Sequence, residues 1–128
     1  MNKIKPNNVY LKNEIETATP LERVVMLYDG AIYFLEDAKE KMLAKKYTDA
    51  TISNIRAQNI IIELKNSLNM DYGELPQRLN RLYAYFLKGL INANMERNHK
   101  IIEDIIKNLK EIRDSWIEVS KKCNMEGI

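Results

Sequence analysis

A chain of 128 residues, 45% hydrophobic and 30% charged, is long enough to bury one core without metal or disulfide help, and its few glycines and prolines favour ordered helix over disorder. The net charge of +2 does not call for a polyanionic partner, because lysines and acids interleave (Glu36, Asp37, Lys39, Glu40, Lys41) as on a solvated helix face. The single Cys123 excludes an internal disulfide and, without a signal-peptide pattern, suits a reducing cytoplasm, while no apolar run approaches the roughly 20 residues of a membrane span.

Residues 1–17 hold Pro6, Asn7 and Asn8, show no period and read as an extended arm. Ile4, Val9, Tyr10, Leu11 and Ile15 make that arm apolar enough to dock, and the expectation is that it covers part of a partner groove in the free protein and moves when the partner binds. A first helix begins at Thr19, a natural N-cap, with Pro20 at N1 and Glu22 completing a T-x-x-E capping box. Leu21, Val24, Tyr28, Ala31, Leu35, Ala38 and Met42 then step by three and four along one seam. The second helix runs from about Asp49 to Leu68, with Ala50, Ala57, Ile61, Leu64 and Leu68 on one stripe. After a turn at Asn69-Met70-Asp71-Tyr72-Gly73, a third helix points Leu75, Leu79, Leu82, Phe86, Leu90 and Ala93 inward. A polar break at Glu96-Arg97-Asn98 leads to a fourth helix carrying Ile102, Ile105, Leu109, Ile112, Trp116 and Val119. Links this short favour antiparallel neighbours, so the expectation is an all-α, up-down-up-down four-helix bundle over 18–122, with a tail at 123–128. Lys121-Lys122 lacks the aromatic interleaving of a nucleic-acid site and reads as a solubilising end.

Little here suggests catalysis. Di-iron carboxylate bundles need two Glu-x-x-His motifs, and Glu96-Arg97-Asn98-His99 supplies one around the chain's only histidine. There is no Gly-rich phosphate loop, no C-x-x-C, and no partner to activate Cys123. The pairs Glu36/Asp37 and Glu103/Asp104 read as outward charge. No enzyme, cofactor or metal site is expected.

What stands out is surplus apolar surface. At about 100° per residue, Ile52, Ile55 and Ile62 lie well round from the stripe of the second helix. Tyr83, Leu87 and Ile91 form a second i, i+4, i+8 row on the third, and Met26, Tyr33 and Phe34 leave the seam of the first. Broad faces serving two bundle neighbours would explain any one of these residues; their excess on three helices points to an outer groove for an apolar partner. Gly30, costly in a helix interior, and Ala57 beside Gln58 offer room for close packing or for an approaching helix.

Assembled in order, these residues resemble the flagellar secretion chaperone (FliS) family. The likeness runs from Tyr10 through Thr19-Pro20, Leu27-Tyr28-Asp29-Gly30-Ala31, Ala57-Gln58, Ile60-Ile61, Glu63-Leu64, Leu82-Tyr83 with Tyr85, and Ala93-Asn94, to Trp116. Tyr72-Gly73-Glu74-Leu75-Pro76 departs from the family pattern, which leaves the start of the third helix open. The resemblance implies a cytoplasmic chaperone that binds the disordered carboxyl-terminal segment of flagellin 1:1, blocks premature polymerisation and presents the client to the type III flagellar export apparatus. Tyr10, Met26, Tyr33, Phe34, Ile52, Ile55, Ala57, Gln58, Ile62, Tyr83, Leu87 and Ile91 are the expected client-binding residues. A helical adaptor using the same grooves for another amphipathic helix is the alternative.

Overall fold

The structure, a computed structural model, describes residues 18–126, with side chains described through residue 122. The amino-terminal arm, Tyr10 included, lies outside the described residues. Four helices follow one another: α1 (Pro20–Leu43), α2 (Tyr47–Asn66), α3 (Glu74–Glu96) and α4 (His99–Glu126). The last therefore continues into the segment read from sequence as a tail.

The helix ends follow local chemistry. Thr19 Oγ1 accepts from the Glu22 amide at 3.1 Å while Glu22 Oε1 accepts from the Thr19 amide at 2.9 Å, so the expected capping box forms ahead of Pro20. α2 starts two residues earlier than expected. Gly73 opens α3 at φ +87° and ψ −152°, a conformation reserved for glycine. Asn98 accepts from the Lys100 amide at 3.0 Å and starts α4.

α1 packs on α2 and α4, and α3 packs on the same two, so the ring order is α1, α2, α3, α4 with short antiparallel connections. Lys45 and Arg97 take the left-handed conformation in the two shortest links. The Arg97 guanidinium stacks 4.1 Å above the Tyr47 ring, tying the end of α3 to the start of α2. The diagonal between α1 and α3 is crossed by Tyr28 and Tyr83, whose buried hydroxyls are 2.6 Å apart.

The core holds Tyr28, Leu35, Ile61, Phe86, Leu90, Ile102 and Leu109, much as periodicity anticipates. Leu75 departs from expectation: it is exposed in the first turn of α3, where the core has not begun, and Leu79 is the first buried residue of that helix. Val119 is also exposed. At 28 residues α4 is the longest of the four described helices, about 42 Å against about 30 Å for the 20-residue α2.

Candidate functional site

The facing flanks of α2 and α3 are fixed by a chain of carboxamides. Asn54, fully buried, donates from Nδ2 to the Leu90 carbonyl at 3.1 Å and to Asn94 Oδ1 at 3.0 Å, while its Oδ1 accepts from Gln58 Nε2 at 2.7 Å. A buried carboxamide is costly unless hydrogen-bonded, and here both ends of Asn54 are satisfied. The direction of the chain is settled from one end: a backbone carbonyl can only accept, so Asn54 must present its nitrogen to Leu90 and Asn94, and its oxygen to Gln58.

Outward from this floor, rotation at about 100° per residue brings Gln58, Ile62 and Ile55 round on α2, and Leu87 and Ile91 round on α3. Ile55, Ile62 and Ile91 are 46%, 41% and 49% exposed, and Leu87 is half-buried against the core. The two surplus rows found in sequence thus flank one groove, a polar floor between apolar shoulders.

The other expected residues divide. Met26 lies between α1 and α4 with Glu22, Val25, Ile117 and Ser120 around a shallow depression. Tyr33 and Phe34 meet edge-on at 5.3 Å on α1, with Arg56 of α2 lying 5.8 Å from the Phe34 ring centre. Ile52 is exposed on α2, further round than Ile55. None of these four belongs to the α2/α3 groove.

Tyr83 and Ala57 require correction, for both are core residues at 1% and 0% exposure and are closed to any partner while the bundle is shut. An i, i+4 row advances about 40° around a helix at each step. The row Tyr83, Leu87, Ile91 therefore walks from core through shoulder to solvent, and its first member is not on the outside. Ala57 stands on the seam with Ala50 and Ile61, where a small side chain lets helices approach.

Asn54 and Ser53 were missed. Positions 50, 54, 57, 61 and 64 form a three-four seam, and an asparagine within it was the available signal, since a polar residue on such a seam sets helix register. Ser53 donates to Asp37 of α1, which also receives Lys41 at 3.2 Å. Burial pushes the Asp37 carboxyl up, but the Ser53 hydroxyl, Lys41 and Arg56 more than offset it and hold it below the usual carboxylate range. Asp37 is therefore an inter-helix tie, and Glu36 meets Lys110 of α4 at 3.3 Å; neither is the free outward charge expected. His99 opens α4 and lies 3.9 Å from Glu103 rather than facing Glu96. Among the described residues no three metal-ligating side chains converge, and no helix is long and apolar enough to cross a membrane.

Comparison with known proteins places this geometry. A family model described as flagellar protein FliS matches residues 2–123. The chain is 31% identical over 111 residues to the flagellar secretion chaperone FliS of Bacillus subtilis (strain 168), covering 87% of this chain and 83% of the relative. It is 28% identical over 112 residues to the flagellar secretion chaperone FliS of Vibrio cholerae, covering 87% and 82%. A solved structure described as a flagellar chaperone from bacteria superposes with a TM-score of 0.77 at 24% identity, over 88% of this chain and 93% of that one, and shares the fold.

Proposed function

The chain belongs to the flagellar protein FliS family, a family of chaperones rather than enzymes, and on that premise we propose that it is a flagellin-specific export chaperone. It holds the carboxyl-terminal segment of flagellin 1:1 in the cytosol, prevents premature polymerisation and hands the client to the flagellar export apparatus. The observation that carries the reading is the α2/α3 groove. Ile55 and Ile62 of α2 and Ile91 of α3 are exposed on a bundle whose core is complete without them. Large apolar side chains left in water on both sides of one groove suit an amphipathic helix laid along it. A disordered client would be ordered on binding, at a cost of about 2–5 kcal/mol or more that burial of these shoulders offsets.

Titration calorimetry with the flagellin carboxyl-terminal segment tests the reading. The segment should bind the wild-type chain, and Ile91→Asp should weaken binding by about 2 kcal/mol or more, because the complex would then bury an unpaired charge. Normal binding by a folded Ile91→Asp variant would move the client elsewhere. Equal affinity for unrelated amphipathic helices would favour a general helical adaptor.

A further inference from the structure

The floor of the α2/α3 groove ends in two unused polar atoms. Because the Leu90 carbonyl sets the direction of the carboxamide chain, Gln58 spends its nitrogen on Asn54 and Asn94 spends its oxygen. Gln58 Oε1 and Asn94 Nδ2 have no hydrogen-bond partner among the described residues. Nor are they sealed from solvent, since the one buried side-chain polar atom without a partner among those residues is Trp116 Nε1. One acceptor and one donor beside the apolar shoulders are therefore left to solvent. Covering them with an apolar helix would strip their water and return nothing, a loss comparable to breaking a hydrogen bond.

We infer that the floor is a specificity element selecting client helices that carry polar side chains in an otherwise apolar face, a donor over Gln58 Oε1 and an acceptor over Asn94 Nδ2. This rests on the reading of the groove as the client site and adds what the client must present there. A carboxylate over Gln58 would set oxygen against oxygen, and an ammonium over Asn94 would set donor against donor. A carboxamide can present either its oxygen or its nitrogen, so it serves at both places. Asn54, held between Leu90 and both outer carboxamides, acts as the positioning residue that aims the free atoms outward.

The test uses the full chain and synthetic amphipathic helices: one with leucine throughout its apolar face, and a series in which one leucine at a time becomes glutamine or lysine. Dissociation constants are measured for the wild type, Asn94→Leu and Asn94→Asp. The helix whose glutamine lies over Asn94 should bind the wild type about fivefold more tightly than the leucine helix, the effect of about one hydrogen bond, and Asn94→Leu should reverse that preference. Asn94→Asp keeps an oxygen to accept from Asn54 while turning the outward atom into a charged acceptor, so it should move the preference from glutamine to lysine. If Asn94→Leu fails to fold, that second shift decides alone. The inference is overturned if the leucine helix binds the wild type most tightly, if the variants leave the order of affinities unchanged, or if no helix binds. The flagellin carboxyl-terminal segment is titrated in parallel. A wild type that prefers glutamine helices yet ignores flagellin would sink the flagellin reading alone, and one that binds flagellin without that preference would sink this inference alone.

Discussion

The Tyr28 and Tyr83 hydroxyls are buried 2.6 Å apart, each the other's partner across the diagonal of the bundle. Tyr83→Phe would leave the Tyr28 hydroxyl buried and unpaired, so thermal melts should show a loss of about 1–3 kcal/mol. Burial pushes both phenols up, only partly offset at Tyr28 by its hydrogen bonding. The folded chain thus keeps protons that the unfolded chain releases near pH 10. The stability these groups contribute is full below that pH and is lost as pH rises through the folded values. Melts of Tyr83→Phe between pH 9 and 11 should fall less steeply than wild type; an equal slope would mean these phenols do not carry the alkaline loss. Gly73 is a second single-residue constraint. A Cβ there would meet nothing within 4 Å, so Gly73→Ala probes backbone strain alone at φ +87° and should cost about 1–3 kcal/mol.

At the scale of the element, α3 grades from core to solvent along one row, and substitutions along it should separate stability from binding. Ile91→Asp should leave the melting temperature within a few degrees of wild type. Leu87→Asp should cost about 1–3 kcal/mol, because Leu87 packs partly against the core. Similar melting for both would contradict the gradient. The same geometry explains how far the sequence could be read. The α1 start was legible because Thr19, Pro20 and Glu22 act locally, and Leu79, Phe86, Leu90 and Ala93 were legible because a three-four repeat tolerates a residue of drift. Tyr83 was misplaced because 79, 82, 86 and 79, 83, 86 fit a helical repeat equally well, and only the α1 tyrosine opposite chooses between them. The groove was half legible: its apolar shoulders are visible as surplus isoleucines, whereas its floor depends on Asn54, Gln58 and Asn94 meeting across two helices. Asp37 and Ser53 escaped for the same reason, since their pairing joins α1 to α2.

For the whole molecule, a bundle with a closed core and exposed isoleucines beside a polar floor offers a stable frame and an apolar bed on which a helix could lie. The family membership supplies the kind of client; the groove supplies where it would lie. Size-exclusion chromatography of the chain with full-length flagellin and with flagellin lacking its carboxyl-terminal segment tests that union most directly. Full-length flagellin should co-elute with the chain as a stable 1:1 complex, and the truncated form should elute apart from it. Co-elution of the truncated form to the same extent would contradict the account.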